Sequence, residues 1–255
     1  MPRAERASRP RHVTPDAGDV SASEAGAVLS SGRMEVLGLL PGASNDTLLA
    51  RVTDGERSVL AVYKPKDGET PLWDFPNGTL CRREVAAYVL AAALRWPAVP
   101  PTVLRTGPYG IGAVQLFIRA DYQRHYFTLR EERLEDFAPI AAFDVVANNA
   151  DRKAGHCLVG GDGAIWVIDH GVCFAVEPKL RTVIWDFARQ PVPEGLLADL
   201  DRVSSELRSE PLRTAMLGLL SADEVDATAE RADRLVGAGC FPEPFGRRPY
   251  PWPPV

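Results

Sequence analysis

The chain has 255 residues, 45% of them hydrophobic and 25% charged. That is enough for one generous domain or two small lobes with a buried core. The formal net charge of −5 leaves none of the basic excess that nucleic acid or an anionic lipid surface attracts. Four cysteines without C-x-x-C spacing, no apolar signal region and no run of membrane-spanning length point to buried thiols in a cytoplasmic protein without an integral membrane segment.

Residues 1–26 are rich in Arg, Pro, Ser and Ala and nearly free of large apolar side chains, which predicts a disordered leader. Three strands follow, Met34–Leu40, Thr47–Thr53 and Arg57–Lys64, joined by the turn-forming run Pro41–Asn45 and by Asp54-Gly55. The two-residue period puts Leu60, Val62 and Lys64 on one face of the third strand. Residues 65–81, with Pro65, Gly68, Pro71, Pro76 and Gly78, predict an irregular loop. Trp73 and Phe75 within it are costly to expose and are expected to pack, as a plug or as a flap over a ligand.

Val85, Tyr88, Val89, Ala92 and Trp96 recur at helical spacing, predicting a helix over 82–95 that Pro97 ends, with Glu84 at the margin of its apolar stripe. Thr102–Thr106 and Ile111–Ile118 read as two further strands, closing a β-rich lobe over 27–118. The polar segment 119–130 reads as a linker. A helix then runs through Leu134–Val145, which Pro139 splits or starts.

Two apolar runs, Cys157–Val159 and Ala164–Ile168, flank Gly160-Gly161-Asp162-Gly163 and predict a hairpin. Antiparallel pairing returns Asp169 to the neighbourhood of His156, with Asp151 on the loop leading in. Beyond Gly171 the pattern is mainly helical to residue 240, including a capping box at Ser221–Glu224 that opens a helix to about Gly237. Residues 241–255 are rich in proline and aromatics and are expected to be strapped along the surface. Walker-type, dinucleotide-binding, zincin and nucleophile-elbow motifs are all missing.

An inward lysine on a strand, an acid on the next helix and two aspartates around a hairpin, in that order, suit phosphoryl transfer, which asks the protein mainly for charge placement. Asp151 and Asp169 are 18 residues apart (169 − 151), room for a short loop and one hairpin. The alternative in which residues 148–171 are only a polar hairpin would leave this ordered set to chance.

The runs Val62-Tyr63-Lys64-Pro65, Arg83-Glu84-Val85-Ala86, Asn149-Ala150-Asp151-Arg152-Lys153 and Ile168-Asp169-His170-Gly171 resemble the phosphatidylinositol 3-/4-kinase-like branch of the protein-kinase fold, as does Pro71–Pro76, especially its small actinobacterial members. The resemblance covers about residues 34–190. It implies an α+β, two-lobed kinase-like fold, with a β-rich N-lobe at 27–118 and a mainly helical C-lobe at 119–240. It also implies binding of ATP with Mg²⁺ or Mn²⁺ and transfer to an unidentified phosphate acceptor.

By that resemblance Lys64 holds phosphates, Glu84 fixes Lys64, Asp151 is catalytic and Asp169 binds metal. Ser44 and Asn45 lie in the turn over the phosphates, and Gln115 and Phe117 in the strand leading to an adenine-binding hinge. Two positions depart from the family pattern. His156 stands where a metal-binding Asn is usual, which favours Mn²⁺ or softer ions over Mg²⁺. Lys153 replaces a His and adds a cation beside the transferring phosphate. These departures keep open a nucleotide-binding pseudokinase and a nucleotidyltransferase as alternatives.

Overall fold

The computed structural model describes residues 22–42 and 45–255. The first half of the chain forms a five-stranded antiparallel sheet in the order β1-β2-β3-β5-β4. Its strands are β1 (Arg33–Leu39), β2 (Leu48–Asp54), β3 (Arg57–Pro65), β4 (Thr102–Gly107) and β5 (Gly110–Leu116). Alternation along β3 sends Val59, Ala61 and Tyr63 into one apolar cluster with Val52 and Val114. Lys64, opposite Ala113 of β5, therefore faces the other way.

Helix α1 (Ala22–Ser31) covers the first of these faces, with Val28 and Leu29 fully buried. Residues 22–26 were expected in a disordered leader. They are instead the first turns of α1, and residues 1–21 lie outside the described residues. The helix ends where Gly32 meets β2: a Cβ there would sit 2.7 Å from the Val28 carbonyl. Arg105 of β4 donates to the Leu29 and Gly32 carbonyls at 2.8 Å each, satisfying the helix's open end.

Helix α2 (Leu80–Leu94) lies on the opposite face, against β4 and β5. Its N-cap residue, Thr79, makes no capping hydrogen bond. The Glu69 carboxylate takes that role from the preceding loop, accepting from the Leu80 and Cys81 amides at 3.1 and 2.7 Å.

The second half is mainly helical: α3 (Tyr126–Arg133), α4 (Ala138–Ala147), α5 (Glu194–Glu206), α6 (Leu212–Leu217) and α7 (Ala222–Ala238), with the small hairpin β6 (Cys157–Val159) and β7 (Ile165–Val167) between α4 and α5. Pro139 sits in the first turn of α4 and starts that helix rather than splitting it. The capping box of α7 forms as the sequence indicates, with Ser221 and Glu224 exchanging side-chain and backbone bonds. The segment read as a linker already contains the start of α3, and Tyr126 there is fully buried.

The C-terminal segment binds the chain around the hairpin. The Pro249 carbonyl accepts from the Thr182 amide and the Trp185 indole, and the Pro254 carbonyl accepts from the Ala154 amide at 2.8 Å. Deleting residues 249–255 removes three hydrogen bonds and is expected to lower stability by roughly 2–4 kcal/mol. Hydrogen exchange will check it, since the Ala154 and Thr182 amides should lose protection while those of α4 keep theirs.

Candidate active site

Each acidic or basic group read from the sequence reaches the cleft by a definite piece of backbone. Lys64 ends β3 on the sheet face toward α2, and its ammonium donates to Glu84 Oε1 and, at 2.9 Å, to Asp169 Oδ1. Glu84 is buried in the second turn of α2, and its other oxygen accepts from the His170 amide at 3.0 Å. Asp169 is the second residue after β7, with a left-handed φ of 65°, a conformation Asp tolerates better than most residues. Asp151 stands on the loop after α4, where its amide donates to Asn149 Oδ1 at 3.0 Å. Lys153 Nζ is 3.4 Å from Asp151 Oδ2. Lys64, Glu84, Asp151, Lys153, His156 and Asp169 line one cleft, with Gly42 and Asn45 at its edge.

The electrostatics follow from this crowding. Burial opposes the Lys64 charge, but Asp169 and Glu84 outweigh it and hold the ammonium above the usual lysine range. Lys64 in turn pulls the Asp169 carboxyl well below its usual range, against the effect of burial and helped by His156. Asp151 moves upward, chiefly through burial, with Lys153 opposing and Asp169 adding to the shift.

Burial pushes His156 down to about 4, with Asp169 opposing and the cations Arg152, Lys153 and Lys64 adding to the shift. The neutral ring has a defined tautomer. Its Nδ1 accepts from the Lys153 amide at 3.3 Å, so Nε2 carries the proton and faces Asp169 Oδ2 at 3.2 Å. Cys81 also lines the cleft, but burial and Glu69 push its thiol up to about 12. A buried thiol raised in this way is a poor nucleophile.

Three sequence-derived binding residues have protein partners. Asn45 Oδ1 accepts from the Thr70 amide at 2.8 Å, tying its turn to the 65–81 loop. Gln115 is buried and donates to Thr102 Oγ1 at 2.9 Å. The Phe117 amide donates to the Leu60 carbonyl, so that group is not free for a base. Ser44 lies outside the described residues. In the 65–81 loop Phe75 is packed with Leu80, Ala150 and Ala175, whereas Trp73 is 94% exposed. The expectation that both aromatics pack holds for Phe75 alone. Lys179 lies over both rings and pairs with Asp74 at 2.8 Å, so the loop is held by charge where Trp73 does not bury.

The sequence reading missed the groups that hold the loop from behind. Arg152 and Asp144 are both completely buried and paired at 3.0 Å. Arg152 also donates to the Ile168 carbonyl at 2.8 Å and to His170 Nε2 at 2.7 Å. Asn149 Nδ2 and Thr182 Oγ1 donate to the same Asp144 carboxylate. One signal was available: a carboxylate inside the apolar helix Ala141-Ala142-Phe143-Asp144-Val145-Val146 needs a buried cation.

With this geometry in place, comparison with known proteins is informative. Solved structures with a similar path include the Golgi casein kinase, with a TM-score of 0.54 at 15% identity over 85% of this chain and 75% of that one. Its form with Mn/ADP bound gives the same TM-score over 92% and 80%. A hydra Fam20 structure with sugar gives 0.50 at 16% identity over 87% and 88%. The fold is thus kinase-like, an antiparallel sheet lobe joined to a helical lobe.

No protein-family profile matches the chain. It is 38% identical to Protein Rv2133c of Mycobacterium tuberculosis over 89% of its own length and 94% of that protein's, and it belongs to the same family. It is also 30% identical to phosphatidylinositol 4-kinase gamma 4 of Oryza sativa over 54% of this chain, a match that spans 31% of the plant protein. Among the described residues no helix is long and apolar enough to cross a membrane.

Two outcomes are expected from this arrangement. In the metal-free protein His156 is neutral, while in the unfolded chain it titrates near its ordinary value. The unfolded state then binds more protons below pH 6.5, and stability falls as pH drops from about 6.5 to about 4. His156→Asn should flatten that loss by roughly 3 kcal/mol at most, measured by urea titration across pH. Asp144→Ala leaves the Arg152 guanidinium buried without its carboxylate, and unfolding free energy should fall by about 3–5 kcal/mol. A fall under about 1 kcal/mol would mean the pair is not holding the loop.

Proposed function

We propose that this protein is a metal- and ATP-dependent phosphotransferase, an atypical kinase resembling the phosphatidylinositol 3-/4-kinases, that acts on a protein or small-molecule acceptor. The observation that carries the reading is the Lys64 ammonium held between Glu84 and Asp169, with Asp151 facing the same cleft. The two lobes then correspond to residues 27–118 and 119–240, with the site between them.

Phosphoryl transfer needs charges placed before the reaction more than covalent help from the protein. Lys64 supplies a fixed cation for the nucleotide phosphates, and Glu84 keeps it from folding away. Asp151, its basicity raised by burial, takes the proton of the acceptor hydroxyl. Lys153 beside it meets the phosphoryl group as charge shifts toward the acceptor.

Asp169 Oδ2 and His156 Nε2, 3.2 Å apart, would form a donor pair for one divalent ion once the ring proton moves from Nε2 to Nδ1, which gives up the bond Nδ1 accepts from the Lys153 amide. Among the described residues no cluster of three or more such side chains stands ready for a metal. The remaining ligands would be phosphate oxygens and water, as in nucleotide-dependent Mg²⁺ sites. A bound ion would supply neutralisation of the phosphate charge. The Mn/ADP complex of the Golgi casein kinase supports this metal and nucleotide reading.

His156 favours a second reading, nucleotide binding without turnover, because both its ring nitrogens are occupied in the resting site. Nucleotidyl transfer on the same fold is a third. Product analysis separates them. Purified protein is incubated with ATP and Mg²⁺ or Mn²⁺ beside Asp151→Asn, Lys64→Met and Asp169→Ala. ADP formation is expected in the wild type, falling by about 10²–10⁴-fold in Asp151→Asn. His156→Asn is expected to raise the Mg²⁺ rate relative to the Mn²⁺ rate. ADP formation that survives Asp151→Asn unchanged would sink the kinase reading. Pyrophosphate release would assign nucleotidyl transfer, and metal-dependent nucleotide binding without either product would assign the binding-only role.

A further inference from the structure

A second cavity, of about 470 Å³, shares no lining residue with the cleft. Its volume falls within the roughly 300–1,000 Å³ of small-molecule sites. The walls come from α4, from α7, from residues 176–180 and from the chain after α7, with Val145, Leu180, Leu235 and Phe241 inside and Val176 and Phe245 at the surface. Val176 is 46% and Phe245 43% exposed, so apolar side chains are open to water around one hollow.

The chemistry of the hollow is set by two arginines. Arg231 is only 7% exposed. It donates from Nε to the Val146 carbonyl at 2.7 Å, from one terminal nitrogen to the Ala175 carbonyl at 3.1 Å, and from the other to Thr228 Oγ1 at 3.0 Å. A guanidinium has five N–H groups, so two remain after these three bonds. Among the described residues no carboxylate lies within ion-pairing distance of it, although every other buried arginine here has one: Arg83 pairs with Glu224 and Arg152 with Asp144. Arg234, three residues on and exposed at the rim, also forms no ion pair with a described residue. A buried cation without a counter-ion is costly. Burial, with Arg234 adding to it, brings Arg231 down to about 10.

We propose that this cavity binds a single-chain amphiphile whose apolar tail lies among Val145, Leu180, Leu235 and Phe241 and whose anionic head, carboxylate or phosphate, meets Arg231 and Arg234. Charge complementarity selects this occupant. The N-terminal residues 1–21 are a poor alternative, since they carry Arg3, Arg6, Arg9 and Arg11 and few apolar side chains. The site is independent of the phosphotransferase reading and stands or falls without it.

Calorimetric titration of the full chain with laurate and with dodecyl phosphate, each below its micelle concentration, tests the site, with dodecanol as the neutral control. One saturable site is expected for at least one anionic probe, and which one binds identifies the head group. Dodecanol should bind at least about tenfold weaker, the cost of losing a charged hydrogen bond. Ala238→Trp, which fills the cavity from its rim at the end of α7, should abolish binding with the circular dichroism spectrum unchanged. Arg234→Glu should weaken it at least about tenfold. No saturable binding of either anionic probe, dodecanol binding as tightly, or undiminished binding to a folded Ala238→Trp would each overturn the proposal.

Discussion

A single ammonium group connects the two halves of this molecule. Lys64 leaves the end of β3 and is shared by Glu84 of α2 and Asp169 after β7, while the second Glu84 oxygen accepts from the His170 amide. Sheet, helix and hairpin are thus fixed by one cation and two carboxylates. Glu84 is buried while Asp169 stays half exposed, so the Lys64–Glu84 contact is the one that burial strengthens. The cluster has one more negative charge than positive before Asp151 and Lys153 are counted, and those two cancel. A cleft with that residual charge accepts a further cation more readily than it accepts free phosphate. On the proposed function, metal and nucleotide would enter together, each offsetting the other's charge.

Behind the cleft a second, dry set of charges does different work. The Asp144–Arg152 pair is fully buried. Because Arg152 can only donate, His170 Nε2 must accept from it, which leaves the ring neutral; burial, with Arg152 adding to it, holds His170 well below its usual range. Phe143 meets the same ring edge-on at 5.5 Å. Each group fixes the protonation state of the next, so the backbone at 151–153 and at 168–170 is set by partners rather than by solvent. The C-terminal segment adds a bond to Ala154 from outside. The loop that carries Asp151 is held on both sides, which suits a reaction that depends on placement.

Much of this was legible in the sequence because the signals are local. Alternation along β3 placed Lys64 on the cleft face, and the hairpin around Gly160–Gly163 brought His156 back to Asp169. Helix periodicity gave α2 within two residues at its start. The failures concern groups whose partners lie far along the chain. Arg83 pairs with Glu224 across 141 residues, and the Gln115 side chain binds Thr102 of β4. The leader was misjudged at residues 22–26 because the Ala-rich, weakly apolar stretch needs the sheet surface beneath it to become a helix. Trp73 was expected inside by its size, yet Lys179 and Asp74 hold the loop and leave the indole in solvent. Large apolar side chains are often exposed, so size alone was weak evidence there.

His156 shows how a departure from the pattern that the sequence resembles can leave the resting structure almost untouched. An asparagine offers one carbonyl acceptor and an amide donor. Neutral imidazole in the tautomer found here offers the same pair, accepting from the Lys153 amide and presenting N–H to Asp169. The loop would therefore fold around either residue. The difference arises only when a cation approaches. An amide oxygen is a hard donor that needs no proton removed, whereas imidazole must first release its Nε2 proton and then presents nitrogen. The downward shift of His156 keeps the second proton off the ring throughout the neutral range, so only the tautomeric proton has to move, to Nδ1, with loss of the bond from the Lys153 amide. On the proposed function, His in place of Asn would keep the hydrogen bonds of the resting loop and alter the ion the loop prefers, which separates the folding role of this position from its chemical one.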